Sequence, residues 1–210
     1  MDMQWFGANC VVMNNKQARV VIDDNLAGLG AKGVTKEGDI VLFTGDHAGS
    51  APHDPRLLLD QPGEYEVSGV SIYGIAARSH MDEEGKMSAT MYKIVADDVT
   101  VLVTGHVYPE LSESQLEAIG MVDVMFVPVG GNGYTLDGVG ALKLVKKVEP
   151  KIVVPTHYDD PKLRFPVPQQ PLEEALKALA MESKEAIAKL RFKAAELGEA
   201  SMELVVLERA

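Results

Sequence analysis

Histidine is the residue type here whose number and placement could do chemistry. Five occur, and four of them, His47, His80, His106 and His157, stand at or just beyond the end of a β-rich run, while His53 lies in a proline-containing loop. Active sites are assembled where strands end. His47 follows Ile40 to Thr44, His80 follows Val70 to Ile75, His106 follows Val99 to Val103, and His157 follows Ile152 to Pro155. If those strands share a sheet edge, four imidazoles converge. A neutral imidazole binds a metal through either nitrogen and suits zinc or a neighbouring transition metal. Taken singly, each histidine reads as a surface or hydrogen-bonded structural residue.

Other chemistry-bearing residues carry less. Cys10 is the one cysteine, so no internal disulfide forms, and its apolar run reads as buried structure rather than as a nucleophile. Gly130-Gly131-Asn132-Gly133 could cradle an anion through backbone amides, but no lysine stands at the P-loop position; a tight turn lining a cleft is the better reading. Glu64 and Glu66 alternate with Tyr65 in an expected strand and read as a solvent-facing pair.

The elements that must position these residues follow from periodicity. Short β-rich runs dominate up to about Lys151: Gln4 to Met13, Arg19 to Asp23, Ile40 to Thr44, Val67 to Ile75, Ala89 to Val95, Val99 to Val103 and Val122 to Val129. Helices are expected over Ser112 to Ile119, with Ser112 or Ser114 as cap, and over Leu136 to Val148, each followed by a strand, the second Lys151 to Pro155. Hairpins early and strand–helix–strand units late imply mixed sheets. Asp160 to Pro171 holds four prolines and reads as an irregular connector. A long helix is expected beyond it, with Leu172, Leu176, Leu179, Ile187, Leu190, Ala194 and Leu197 on one stripe and Gly198 as its stop, then a final strand Met202 to Leu207. The expected organisation is a core over residues 1–160 and a tail over 161–210 packed on the same domain.

Composition bounds the function. The chain has 210 residues, 46% apolar and 24% charged, enough for a sizeable core. Against 20 Lys and Arg stand 31 Asp and Glu, a net charge of −11, which makes nucleic acid an unfavourable partner. No run is long and apolar enough for a membrane span, and Met1-Asp2-Met3-Gln4 lacks the basic start of a secretory signal, so a cytoplasmic protein is expected. A small-molecule substrate and a homo-oligomer through the carboxy-terminal helix are the expected partners.

Several segments occur in an order that carries a resemblance: Gln4 to Cys10, Val20 to Asp23, Gly63-Glu64-Tyr65-Glu66-Val67, Val127-Pro128-Val129-Gly130-Gly131 and Pro150 to Tyr158. Over roughly Met1 to Tyr158 the chain resembles the metallo-β-lactamase fold, in particular its metal-dependent hydrolases related to ascorbate-6-phosphate lactonases. The resemblance implies an α/β four-layer αββα sandwich of mixed β-sheets, with metal held at the strand-end edge. That family's motif is T-H-x-H-x-D-H, and the matching stretch here is Thr44-Gly45-Asp46-His47-Ala48-Gly49-Ser50, which keeps the second histidine, His47. The family's third histidine matches His80, its bridging aspartate falls at His106, its closing histidine matches His157, and an aspartate beside the site matches Asp23, which would orient an imidazole.

A two-metal centre needs anionic ligands to offset four positive charges and a bridging carboxylate to hold the ions together. Gly49 and His106 remove both aspartates. The resemblance therefore implies at most one zinc-like ion, held by His47, His80 and His106 with His157 as a fourth. The catalytic base is unassigned. Two functions follow as expectations: a divergent hydrolase of a small lactone or phosphoester, or a non-catalytic scaffold or binding protein that has lost the metal site.

Overall fold

The computed structural model of the chain describes residues 1–47, 54–183, 185–191 and 202–210. Two mixed sheets face one another. The first orders its strands β12-β1-β2-β3-β4-β5 and the second β13-β11-β10-β9-β8-β7-β6. Strands β1 (Asp2–Gly7), β2 (Cys10–Asn14), β3 (Arg19–Ile22), β4 (Ile40–Leu42), β5 (Leu57–Leu59) and β12 (Leu190–Arg191) make the first. The second holds β6 (Gly63–Val67), β7 (Val70–Ala77), β8 (Ala89–Ala96), β9 (Val99–Val103), β10 (Val124–Pro128), β11 (Ile152–Thr156) and β13 (Glu203–Leu204).

Alternation sends one face of each strand into the space between the sheets. Trp5, Val11, Met13 and Ile22 from the first sheet meet Ile72, Tyr92, Ile94 and Phe126 from the second in one buried cluster. Each large apolar side chain so covered contributes about 1.5–3 kcal/mol. The outer face of the second sheet is covered by α1 (Glu113–Ile119), α2 (Gly138–Val148) and α3 (Leu172–Leu179), which bury Leu136, Leu144, Val145 and Leu179 against Met125 and Val153. On the outer face of the first sheet, Ala8 and Cys10 pack under Leu26 of a 3₁₀ turn and under Leu163. The layer over the first sheet is thus thin among the described residues, a 3₁₀ turn and a loop. No helix among the described residues is long and apolar enough to cross a membrane.

Strands β9, β10 and β11 run parallel, as the alternation with helices implies, and β6 to β9 are antiparallel. The early region departs from an all-hairpin reading, because β3, β4 and β5 are also parallel. Two expected single runs are each split by a tight turn. Ala8 adopts φ 47° between β1 and β2, and Ser68 and Gly69 adopt φ 52° and 69° between β6 and β7.

The expected long helix is corrected: α3 stops at Leu179, with Ala180 in the left-handed conformation, φ 51°. Ile187 and Leu190, read as its stripe, are in extended backbone instead. Ile187 bridges to Leu207 and Leu190 pairs with Met3, so sheet pairing outcompetes a helical pattern. Ala194, Leu197 and Gly198 lie outside the described residues. The last segment does pair with the sheet, through Glu203 and Leu204 beside Ile152 and Val153.

Candidate functional site

The parallel strands deliver their carboxyl ends to one edge, where α/β sheets bind ligands. Residues that follow β3, β4, β7, β9 and β11, among them Asp23, Thr44, Asp46, Ser79, His106 and His157, line a single cavity of about 190 Å³.

Asp23 leaves β3 in the left-handed conformation, φ 49°, which turns its side chain inward. One carboxylate oxygen accepts from the Thr44 backbone N–H at 2.7 Å and the other from the Thr44 hydroxyl at 2.6 Å. Burial pushes its pKa up to about 6, against the lowering effect of those two bonds. The oxygens expected to orient an imidazole therefore hold Thr44. Gly105 makes this packing feasible: at φ 63° it presses against Thr44, whose hydroxyl oxygen would lie 2.2 Å from an added Cβ.

His157 sits at φ 55°, its N–H bonded at 2.9 Å to the Ala8 carbonyl, which also accepts from the Trp5 indole at 2.8 Å. Its Nδ1 lies 3.0 Å from Gln169 Oε1, while Gln169 Nε2 donates to the Val167 carbonyl at 2.6 Å. The amide oxygen is therefore the acceptor, Nδ1 carries the proton, and Nε2 carries the lone pair. Burial lowers the His157 pKa to about 4, with the Gln169 bond opposing. Gly130 backs this arrangement, since a Cβ there would lie 2.0 Å from Gln169 Oε1 and 2.1 Å from the His157 carbonyl. Gly130 and Gly131 do not line the cavity. The Gly131 N–H is spent on Leu136 and the Gly130 carbonyl on Gln170, so the loop is a turn behind His157.

His106 meets His157 edge to face, ring centres 4.5 Å apart. Asn9 Oδ1 accepts from the Thr156 hydroxyl at 2.9 Å, which leaves Asn9 Nδ2 to donate to His106 Nε2 at 3.2 Å. The His106 proton then sits on Nδ1, which is buried without a partner. Burial, then the neighbouring imidazoles of His157 and His80, push its pKa well below the usual histidine range. Both rings are neutral at pH 7.

The other two imidazoles point elsewhere. His80 donates its backbone N–H to the His106 carbonyl at 2.7 Å, but its ring stands 6.3 Å from that of Tyr108 and does not line the cavity. Burial chiefly lowers its pKa, and its Nδ1 also lacks a partner. His47 stacks on Phe43 at 4.3 Å, with Nε2 3.2 Å from Asp60 Oδ2. The fourfold convergence expected from the strand ends is thus not what the structure contains. His106 and His157 meet, His80 is joined to them through backbone, and His47 is turned to Asp60. Among the described residues no group of three or more His, Cys, Asp or Glu side chains is arranged to hold a metal ion. His157 lines the cavity with Nδ1 spent on Gln169, and among the described residues no carboxylate bridges the rings, so the described donor set does not fit a metal centre of the family type.

Asn9, Thr44, Tyr134, Phe165 and Gln169 shape the site and were not singled out from sequence. Tyr134 lies 5.0 Å from His106 and Phe165 5.1 Å from His157. A glutamine pair inside a run of prolines was the available signal for Gln169. The cavity is lined by the Asp23 carboxylate, the imidazoles of His106 and His157 and an aromatic wall of Tyr134 and Phe165, with no Lys or Arg among its described lining residues.

Comparison with known proteins agrees with this fold. The β-lactamase superfamily domain matches residues 2–157. A UPF0173 metal-dependent hydrolase of Thermococcus onnurineus is 30% identical over 175 residues, covering 67% of this chain and 77% of that protein. One from Archaeoglobus fulgidus is 26% identical over 216 residues, covering 85% and 90%. In fold the chain is similar to a metallo-β-lactamase superfamily protein of Thermotoga maritima, with a TM-score of 0.73 at 23% identity over 99% of each chain. Two facing mixed sheets, a cleft at their strand ends and these likenesses in sequence lead to one assignment: the chain belongs to the β-lactamase superfamily and, within it, to the UPF0173 metal-dependent hydrolase family.

Proposed function

We propose that this chain is a member of its family whose strand-end cleft binds a small molecule without a family-type metal centre. The observation that carries the reading is where the imidazoles are committed, His47 to Asp60, His106 Nε2 to Asn9 and His157 Nδ1 to Gln169, so that among the described residues no three His, Cys, Asp or Glu side chains are arranged to hold an ion. Fold does not establish chemistry once the reacting groups have been replaced. Elemental analysis of the protein purified without a histidine tag tests it. The expected result is well under one transition metal per chain and a melting temperature unmoved by chelator, since a bound metal stabilises the state that binds it.

A second reading is favoured by one specific observation. Nδ1 of both His80 and His106 is buried without a partner, which leaves each a nitrogen uncommitted to the protein. Under that reading the protein is a one-metal hydrolase of a small lactone or phosphoester. About one zinc per chain, lost on His106→Ala together with turnover of such a substrate, would establish it in place of the first.

A further inference from the structure

Resting on the small-molecule reading of the cleft, we infer that its ligand is a small organic ammonium, the charge set against Asp23 and the His157 lone pair and the apolar body against Tyr134 and Phe165.

Asp23 is the first ground. It is 4% exposed, lines the cavity, and among the described residues forms no ion pair with a cationic side chain; its donors are both from Thr44. A buried carboxylate without a counter-charge is costly, and a cation entering the cavity supplies what the chain does not.

His157 is the second and independent ground. The residue is 4% exposed and lines the cavity, and its Nδ1–H is spent on Gln169, which leaves the Nε2 lone pair for a ligand. A lone pair facing a cavity asks for a donor. An ammonium N–H satisfies it, whereas a carboxylate or phosphate oxygen would be repelled.

The lining also selects by exclusion. With no Lys or Arg among the described lining residues, a phosphoester would meet the Asp23 carboxylate and no lysine or arginine cation. The aromatic rings of Tyr134 and Phe165 line the same space and suit a cation. The cavity of about 190 Å³ admits a small amine. The chain's net charge of −11 favours the approach of cations over anions.

Metal-free protein at pH 7.5 is titrated with cyclopentylammonium, its neutral counterpart cyclopentanol and inorganic phosphate, with calorimetry and the His157 ring resonances as readouts. The ammonium is expected to bind at least tenfold more tightly than cyclopentanol and to shift the His157 signals, with phosphate silent. Asp23→Asn is expected to weaken it at least tenfold with the circular dichroism spectrum unchanged, and Phe165→Leu several-fold. Should Asp23→Asn not fold, Phe165→Leu and the alcohol comparison still decide. Equal binding of the alcohol, stronger binding of phosphate, no binding of any probe, or an unaffected Asp23→Asn overturns the inference. A stoichiometric metal in the purified protein overturns the reading beneath it instead, whereas a metal-free protein that ignores the ammonium overturns this inference alone.

Discussion

Asp23 and His157 are two buried ionisable groups whose burial acts in opposite senses on stability. Asp23 binds its proton more tightly folded, about 6, than at its ordinary 3.8, so the stability it confers is complete below pH 3.8 and is lost as pH rises through 6. His157, held at about 4 against an ordinary 6.5, confers stability that is complete above pH 6.5 and lost as pH falls through 4. The Asp23 contribution is separated by difference. Calorimetric stability of the natural chain minus that of Asp23→Asn is expected to fall by roughly 2 kcal/mol between pH 4 and pH 7. Asparagine keeps an acceptor for the Thr44 N–H and carries no charge, so a difference flat across that window would mean the carboxylate is not buried as described. For His157 the hydrogen bonds fix the tautomer. Nitrogen NMR is expected to find its proton on Nδ1 at neutral pH, and Gln169→Leu, which strands that N–H in the interior, to cost about 1–3 kcal/mol. A proton on Nε2 in the natural chain would contradict the assignment.

Helix ends and turns hold these residues in place, and each has a physical signature of its own. Ser112 caps α1 by accepting from the Gln115 N–H, while the Gln115 side chain accepts from the Ser112 N–H. Ser112→Ala is expected to cost about 1 kcal/mol, a fall of roughly 2–4 °C in melting temperature. Gly130 is under a harder constraint, because the His157 carbonyl that its Cβ would strike is backbone. Gly130→Ala is expected to lower the melting temperature by roughly 5–15 °C and to disturb the His157 ring signals; a change within 2 °C would show the loop free to yield. The cap of α1, the parallel order of β9 to β11 and the strand-end placement of the four histidines were legible from short-range pattern. The hairpin turns at Ala8 and Ser68 were not, since in each a non-glycine residue shares the positive-φ positions with Gly7 or Gly69. Nor was the end of α3: Ile187 and Leu190 fit a helical stripe as well as an extended segment, and what decides between them is pairing with Leu207 and Met3, remote in sequence. The same remoteness hid the site. Whether imidazoles at strand ends converge depends on Asp60, Asn9 and Gln169, partners that no local spacing announces.

At the scale of the whole molecule, the two sheets are tied together by the end of the chain. Leu204 pairs with Val153 in the second sheet, and six residues later the Ala210 N–H donates to the Trp5 carbonyl of the first. Between them Leu207 enters the inter-sheet core, and Arg209 donates to the Phe6 carbonyl at 3.0 Å and to Asp160 at 2.9 Å. This segment thus closes the edge of β11 and braces β1, whose turn supplies the Ala8 carbonyl that holds both Trp5 and His157. Meanwhile α3 turns Ala175 and Leu179 inward, and Ala175 and Ala178 press on Gly138 of α2, so the apolar side of that helix is spent within the molecule. Removing the tail therefore tests the fold before it tests association. A chain ending at Ser201 exposes Ile152 and Val153 as an unpaired edge and uncovers the core at Trp5. It is expected to lose its near-ultraviolet circular dichroism and its cooperative melting and to aggregate, whereas Arg209→Ala, which gives up two hydrogen bonds and leaves the strand in place, is expected to stay folded at a cost of about 1–3 kcal/mol. A truncated chain that melts cooperatively near the natural temperature would mean that the sheets hold together without this brace and that the position of His157 has another source.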